Sequence, residues 1–273
     1  NPLPELAAFS FGMVLALVVA IVSYKVNFLD AGGAATTFIL ATIVFGVGRW
    51  TFSLPILSFF LLSSLLSKTG SQCKMAFLTI FEKSSQRDMW QVLANGGLAG
   101  MLVILWYFSK RDWLFVLYIA SLAAVTADTW GTEIGVLSKS RPRSILTFKL
   151  VPPGTSGGIS LWGTLGALAG ALIIGLVGAA ISPHASPAIL GVPQLVGVVL
   201  AGLLASLVDS LLGATIQAQF TCVVCAKETE KRIHCQKPSL FQRGLKWVNN
   251  DVVNILCAAS GILFSYLGLM FLN

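Results

Sequence analysis

Charged side chains are scarce in this sequence: Asp, Glu, Lys and Arg together make up 11% of its 273 residues. Soluble globular proteins usually carry about a quarter of their residues as charged side chains. The sequence also lacks the Gly-Lys-Ser or Gly-Lys-Thr string of a Walker A nucleotide-binding loop. Hydrophobic residues, in contrast, make up 56%, and the mean hydropathy is +0.83. Because too little polar surface is left to cover a protein in water, the composition excludes a soluble globular domain and predicts an integral membrane protein.

Apolar runs long enough to cross a membrane divide the chain into eight predicted helices. A spanning helix needs roughly 17 to 25 apolar residues. The second and third runs are short and are separated only by Gly48-Arg49-Trp50, so a helical hairpin that does not fully cross is an alternative for them. The prediction is an all-α polytopic membrane protein, with one transmembrane domain over residues 1–273. The eight predicted spans are 5–24, 32–48, 51–66, 91–108, 113–127, 160–181, 189–213 and 252–272.

Lys and Arg are distributed unevenly along the chain. Under the eight-helix prediction, 15 of the 18 lie in the first, third, fifth and seventh loops. Loops rich in Lys and Arg stay on the cytoplasmic side of a membrane. These four loops are therefore predicted to be cytoplasmic, with both termini on the opposite side. The positive charge then reflects membrane topology, and no nucleic-acid partner is expected.

Short polar motifs fall at the predicted cytoplasmic ends of the helices. Because all of them lie in or beside the predicted cytoplasmic loops, they are predicted to meet at one membrane face, as an active site at the membrane surface requires. A transporter instead places its site near the middle of the bilayer, often between repeated halves. The motifs favour an enzyme, and they are Asn95-Gly96-Gly97, Ala127 to Gly135, Pro152 to Ser160, Asp209 to Ala214, and Asn249-Asn250-Asp251 with Asn254.

Asp128, Glu133 and Asp209 are the acidic candidates for a metal site. Asp209 is embedded in apolar sequence, where a carboxylate is costly and needs a partner. Asp128 and Glu133 point about 140° apart on a straight helix, so they converge only if Gly131 breaks the helix. Mg²⁺ prefers one or two carboxylates together with phosphate oxygens, and we predict a Mg²⁺ site here. The alternative is that the two aspartates cap helices or pair with Lys and Arg of the loops.

A glycine-rich segment runs directly into the sixth predicted span. Glycine lets backbone N–H groups approach an anion, and the N-terminus of the following helix favours negative charge. The segment is therefore predicted to bind the phosphates of a nucleotide. The alternative is a glycine-rich turn in which Ser160 caps the helix. The predicted binding residues are Gly154, Thr155, Ser156, Gly157, Gly158 and Ser160.

Basic residues in the same loop allow two interpretations. They can neutralise a triphosphate, or they can be topological charges that contact anionic membrane lipids. These residues are Lys139, Arg141, Arg143 and Lys149.

Three of the five cysteines lie in the polar loop 214–251. Cys222 and Cys225 are followed by His234 and Cys235, and this spacing matches a tetrahedral zinc site with three cysteines and one histidine. A zinc ion would stabilise a long loop that has little apolar core. A disulfide is the alternative, but the cytoplasm is reducing. The prediction is a structural Zn²⁺.

Five motifs in a fixed order resemble a known family. The chain from Asp30 onward is similar to the integral membrane family that contains the phytyl-phosphate kinases of plants and cyanobacteria. It is similar more distantly to dolichol kinase, phytol kinase and CDP-diacylglycerol synthase. The resemblance implies transfer of a phosphoryl group from a nucleoside triphosphate, expected to be CTP, to a prenyl monophosphate. The motifs are QVLANGG (91–97), ADTWGTEIG (127–135), PPGTSGGIS (152–160), DSLLGA (209–214) and CVVC…HC…NNDVVN (222–254).

The predicted roles follow from this reaction. Mg²⁺ is assigned to the three carboxylates, the nucleotide phosphates to the glycine-rich segment, and the acceptor monophosphate to Arg87. A CTP-dependent cytidylyltransferase that makes a CDP-lipid remains an alternative, as does a transporter. The oligomeric state is open, with a homodimer as one alternative. Further residues predicted to orient a phosphate are Asn95, Asn250, Asp251 and Asn254.

One segment departs from the phytyl-phosphate kinase pattern. Residues 82–95 lack the Gly, Arg, Pro and Glu richness of those kinases and look more like prokaryotic and animal members. A prokaryotic plasma membrane is therefore the predicted location, with a plastid envelope as the alternative.

Overall fold

The computed structural model describes residues 3–69, 86–138, 140–182 and 190–272. Within these ranges, seven helices are long and apolar enough to cross a membrane, which confirms a polytopic α-helical protein. The helices are α1 (Leu3–Lys25), α2 (Ala31–Lys68), α3 (Met89–Ser109), α4 (Trp113–Leu137), α5 (Leu161–Ile181), α6 (Val192–Thr215) and α7 (Asn250–Leu272).

Helix α2 reverses direction at Arg49. The backbone there has φ 54° and ψ −162°, which is not helical. The Lys68 ammonium donates a hydrogen bond to the Val26 carbonyl, and the rings of Phe28 and Phe60 lie 6.2 Å apart. The end of α2 therefore lies beside the segment that precedes its beginning. The predicted number of helices differs from the structure at this place, because the second and third spans are the two limbs of α2. The first limb is about 27 Å long, close to the thickness of a hydrocarbon core.

Helix α4 forms the centre of the bundle. Every residue from Leu114 to Ala127 is buried, and the helix packs against α2, α3, α5, α6 and α7. Small residues allow these close approaches. A Cβ on Gly170 of α5 would lie 3.0 Å from the Thr126 carbonyl oxygen, and one on Gly261 of α7 would lie 2.6 Å from Ala124 Cβ. Glycine and alanine at such crossings let membrane helices pack with their backbones close together.

Capped helix N-termini gather at one end of the bundle. Helices α2, α3, α5 and α7 begin there, and α1, α2, α4 and α6 end there; this end is called the polar face below. Asp88 and Gln91 form a capping box on α3, the Ser160 hydroxyl accepts from the Gly163 N–H at 3.1 Å, and Asn249 Oδ1 accepts from the Val252 N–H at 3.1 Å. Each N-terminus presents a positive dipole end to this face.

The loops at the polar face contain short strands that the all-α prediction did not include. β1 (Arg143–Ser144) pairs antiparallel with β2 (Gly158–Ile159) beside α5. The loop 214–251 contains β3 (Gln219–Thr221), β4 (Glu228–Thr229), a hairpin of β5 (Ile233–His234) and β6 (Lys237–Pro238), and β7 (Leu240–Arg243). Three of these strands form a sheet in the order β4-β3-β7, in which Phe220 lies opposite Thr229 and Phe241.

Candidate active site

A cavity of about 330 Å³ opens at the polar face. Its walls come from α3, α4, α5, α6, α7 and the end of α2, together with the glycine-rich segment and the loop 214–251. Segments far apart in sequence therefore meet in one place. The cavity is lined by most of the predicted site residues: Arg87, Asn95, Asp128, Glu133, Gly154, Thr155, Ser156, Gly157, Gly158, Ser160, Asp209, Asn250 and Asn254.

Two carboxyl groups from different helices meet in this cavity. Asp128 lies on α4 and Asp209 on α6, and their side chains are close enough to interact directly with each other. The Oδ2 atom of Asp209 is buried and has no hydrogen-bond partner. Neighbouring buried carboxylates repel each other unless a shared proton or a cation compensates their charge. The pair therefore has the chemistry of a cation site.

Glu133 lines the same cavity as Asp128 and Asp209, but no helix break brings its side chain to theirs. Helix α4 continues through Gly131 to Leu137, so the helix break on which convergence of Asp128 and Glu133 depended is absent. Gly131 instead permits a close approach of α5, because a Cβ there would lie 3.2 Å from the Gly163 carbonyl oxygen. Among the described residues, these carboxylates do not form a group of three whose ligand oxygens all lie within 4.8 Å of one another.

Glu230 is a further carboxylate at the cavity that sequence reasoning missed. It is 9% exposed, lines the cavity and lies close enough to interact electrostatically with Asp128 and Asp209. Its Oε1 atom accepts a hydrogen bond from the Ser156 hydroxyl at 2.6 Å, and Gln219 Nε2 donates to the same hydroxyl at 2.8 Å. The loop 214–251 is thereby joined to the glycine-rich segment. The sequence carries no signal for this contact, since Glu230 is one of several charged residues in a polar loop.

The glycine-rich segment forms a tight turn between β1 and α5. Gly154 and Gly157 have φ values of 86° and 79°, a backbone conformation that favours glycine. A Cβ on Gly157 would also lie 2.7 Å from the Ser210 carbonyl oxygen of α6. Ser160 caps α5, as the alternative interpretation expected. Substitutions at Gly157 would therefore disturb packing against α6, and they are unsuitable as a test of anion binding alone.

Polar side chains complete the walls of the cavity. Asn95 of α3 and Asn250 and Asn254 of α7 line it, whereas Asp251 is buried in the first turn of α7 and does not line it. Gln217 is 3% exposed, lines the cavity, and its Nε2 atom has no hydrogen-bond partner. A buried donor without an acceptor suits an anionic ligand.

Arg87 lies at the edge of the cavity, just before α3. Its guanidinium carbon is 5.3 Å from the centre of the Phe59 ring and 5.7 Å from that of Phe60. Burial lowers the pKa of Arg87 to about 10. The predicted basic residues Arg141 and Arg143 lie in the loop before β2, where Arg143 donates to the Phe148 carbonyl, and Lys139 lies outside the described residues.

A second cluster of ligand-type side chains lies in the loop 214–251. The Sγ atoms of Cys222, Cys225 and Cys235 and a ring nitrogen of His234 all lie within 4.8 Å of one another. The Cys225 and Cys235 sulfurs are 3.6 and 3.2 Å from His234 Nδ1. A hydrogen bond from the Cys225 backbone N–H lowers the pKa of the Cys222 thiol to about 6. The four predicted ligands thus come together in an arrangement that can hold a metal ion.

Comparison with known proteins agrees with this architecture. The model of the integral membrane protein DUF92 family matches residues 14–262. The chain belongs to this family. The family resemblance drawn from the five ordered motifs is therefore confirmed.

Relatives in this family come from plants and prokaryotes. The chain is 36% identical over 243 residues to Protein PGR of Arabidopsis thaliana, covering 81% of this chain and 83% of that protein. It is 33% identical over 207 residues to the uncharacterized membrane protein MJ0933 of Methanocaldococcus jannaschii, covering 75% and 82%. It is 25% identical over 244 residues to the chloroplastic Protein VTE6 of Arabidopsis thaliana, covering 88% and 65%. No solved structure matches the chain.

Proposed function

We propose that this protein is a membrane-embedded prenyl-phosphate kinase. It transfers the terminal phosphoryl group of a nucleoside triphosphate, with CTP as the first candidate, to a prenyl monophosphate and yields the diphosphate. The observation that carries the proposal is the contact between Asp128 and Asp209 in a polar cavity into which helix N-termini point. Phosphoryl transfer relies on positioning and on neutralising charge, and this arrangement supplies both.

The donor atoms at the carboxylate pair suit Mg²⁺. Carboxylate oxygens are hard ligands, and the buried Oδ2 of Asp209 lacks a protein partner. Asp128 and Asp209 would hold the ion, with Glu133 and Glu230 on the walls of the same cavity. Bound there, Mg²⁺ would supply positive charge for the phosphate oxygens of the nucleotide.

The nucleotide phosphates would bind between the glycine-rich segment and three helix N-termini. Helices α3, α5 and α7 each begin at the cavity, and their N-terminal residues line it. Gln217 adds a buried donor without a partner, and Asn250 and Asn254 add side-chain amides. Backbone dipoles and neutral donors can hold several phosphate oxygens without a Walker A lysine.

The acceptor needs little activation by the protein. A prenyl monophosphate is already an anion at neutral pH, so its oxygen can attack the γ-phosphorus without a strong general base. The new P–O bond forms as the bond to the β-phosphate oxygen breaks, and the nucleoside diphosphate leaves with that electron pair. Arg87 would bind the acceptor phosphate, and Asn95 on the same wall would orient it.

The cysteine and histidine cluster would hold a structural Zn²⁺. Three cysteines and one histidine would supply all four ligands of a structural zinc ion and leave none of its positions open for catalysis. Zinc there would fix the sheet from which Glu230 reaches Ser156. We further place the polar face on the cytoplasmic side of a prokaryotic plasma membrane, since most Lys and Arg residues lie in the loops at that face. A cysteine introduced at Arg141 should then react with a thiol reagent only from the cytoplasmic side.

The products of the reaction test the proposal. Purified protein is incubated with CTP, ATP, GTP or UTP and with prenyl monophosphates of several lengths. A kinase yields a lipid diphosphate and a nucleoside diphosphate in equal amounts. Pyrophosphate together with a CDP-lipid would show a cytidylyltransferase and contradict the proposal. Nucleotide-independent solute uptake by sealed vesicles, without either product, would show a transporter and contradict it as well.

A further inference from the structure

A second, apolar cavity adjoins the candidate active site. It lies between α1, the two limbs of α2 and α3, and its volume is about 50 Å³. Its walls are aliphatic and aromatic side chains such as Leu40, Phe45, Ile56, Phe59 and Val92. This apolar groove is much smaller than the polar cavity.

The apolar groove meets the polar cavity at three residues. Arg87, Gln91 and Asn95 line both, so the boundary between polar and apolar walls falls at the beginning of α3. The cation of Arg87 stands at this boundary and packs over Phe59, which lines the groove. A ligand that spans the boundary must therefore carry an anionic group at one end and an apolar chain at the other.

Close helix packing beside the groove limits which hydrocarbon chains of a lipid can enter it. Gly96 lines it, and a Cβ at Gly96 would lie 2.7 Å from Leu40 Cδ2. Helix α3 thus packs closely against the first limb of α2 beside the groove. A single hydrocarbon chain fits a passage of this kind, whereas the two chains of a diacylglycerol phosphate join too close to the headgroup to enter together.

We propose that the apolar groove binds the chain of the acceptor next to its phosphate, and that Arg87 binds the phosphate itself. This inference rests on the proposed function and specifies its substrate as a single-chain lipid monophosphate. The groove selects the chain, while the polar cavity holds the nucleotide on the other side of Arg87. The two substrates meet at Gln91 and Asn95, which face both cavities.

Two neighbouring glycines of α3 offer a matched pair of variants. A side chain at Gly96 would enter the groove beside Leu40, whereas a Cβ at Gly97 would meet nothing within 4 Å. Gly96→Val and Gly97→Val make the same change on the same helix turn. Equilibrium binding of a long-chain prenyl monophosphate is measured without nucleotide, so that the result does not depend on catalysis.

We expect Gly96→Val to weaken binding of the long-chain ligand about tenfold. This corresponds to two methylene groups of the ligand chain that the valine keeps out of the groove. Binding of a short, water-soluble alkyl monophosphate and of Mg·CTP should remain normal, which shows that the variant is folded. Gly97→Val should bind the long-chain ligand like the unchanged protein. Equal effects of the two valines, or an equal loss for the short ligand, would overturn the groove assignment.

A photoreactive prenyl monophosphate provides an independent measurement on the unchanged protein. A diazirine in the first units of the chain should label peptides that contain Leu40, Ile56 or Val92, and excess unlabelled prenyl monophosphate should prevent it. Arg87→Gln should weaken binding of long and short monophosphates alike, by on the order of tenfold or more. Labelling confined to lipid-facing residues outside the groove would overturn the inference. If the groove is labelled but no lipid diphosphate forms, the groove stands and the kinase proposal fails.

Discussion

The cysteine and histidine cluster and the carboxylate pair of this protein are built in opposite ways. The cysteine and histidine cluster comes from one short stretch of the loop 214–251, and all four ligand atoms lie within 4.8 Å. The carboxylate pair comes from α4 and α6, with α5 and two loops between them in sequence. The first cluster therefore depends on local turns and strands, and the second depends on the packing of the whole bundle. They should respond differently to substitution.

The largest effect on activity is expected at the carboxylate pair. Asp128→Asn and Asp209→Asn should each lower the rate of phosphoryl transfer by a factor on the order of 10² to 10³, because charge on the transferring group loses its compensation. Thermal unfolding should be unchanged or shifted upward, since one of two repelling buried carboxylates is removed. Initial rates and melting curves in detergent measure both.

Asp112 provides the matched control for these variants. It is exposed at the opposite end of the bundle and makes no capping hydrogen bond through its side chain. Asp112→Asn should turn over normally. Normal turnover of the Asp128 and Asp209 variants would show that the pair is structural.

Removal of the cysteine and histidine cluster should first disturb the fold of the loop 214–251 and should lower activity only as a consequence. In the double variant Cys222→Ser, Cys225→Ser, bound zinc should fall from about one ion per chain to none, as coordination and local folding are coupled. Hydrogen exchange should rise across residues 219–243 and stay slow in α4. Activity should fall about 10- to 100-fold, the usual size of an effect exerted through supporting residues.

Cys257 lies outside the cluster and serves as the control for this experiment. It is buried, and its thiol donates toward the Ala205 carbonyl at 3.4 Å. Cys257→Ser should retain the zinc ion. A native protein that contains no zinc and is fully active would contradict the structural role of the cluster.

Glu230 connects the two clusters, and its removal should have an intermediate effect. Glu230→Gln should retain zinc but lower activity about tenfold, because the contact with Ser156 and a carboxylate at the cavity are both altered. Ser156→Ala should cost a similar amount. The double variant should cost less than the sum of the two, since both remove one interaction.

Glu228 is the control for Glu230. It lies two residues earlier on β4 and is exposed. Glu228→Gln should leave activity unchanged. Additive effects of the Glu230 and Ser156 variants would show that the hydrogen bond between them does not position the site.

The smallest loss among the cavity carboxylates is expected at Glu133. It lines the cavity, but its helix is unbroken and it does not belong to a tight group of three ligands within the described chain. Glu133→Gln should therefore lower activity less than either aspartate variant under identical Mg²⁺ concentrations. A loss as large as that at Asp209 would restore the predicted three-carboxylate site.

Local patterns explain why the cysteine and histidine cluster could be predicted from sequence. The Cys-x-x-Cys spacing and the adjacent His234-Cys235 lie close together in one loop. Local turns can therefore bring their side chains together, and contacts with distant segments are not needed to predict the cluster. The capping role of Ser160 could also be predicted, because a helix cap depends only on the residues next to it in sequence. The apolar runs likewise predicted the spans, because bilayer thickness fixes their length.

Tertiary packing explains what sequence reasoning missed. The polar residues after Ala127 were interpreted as a loop, yet α4 continues to Leu137 because their side chains face a cavity and Gly131 packs against α5. Glu230 contacts Ser156 across 74 positions of sequence, and no periodicity or spacing indicates such a pair. The reversal at Arg49 leaves a single non-helical residue where a loop was expected.

The central claim is that the carboxylate pair binds the divalent cation of a nucleotide. Mn²⁺ can replace Mg²⁺ as an oxygen-preferring ion and can be counted by electron paramagnetic resonance. We expect the purified protein to bind about one Mn²⁺ per chain when CTP is present, in addition to the zinc that we propose for the cysteine and histidine cluster. The double variant Asp128→Asn, Asp209→Asn should lose this ion and keep its zinc. Undiminished CTP-dependent Mn²⁺ binding by that variant would contradict the account.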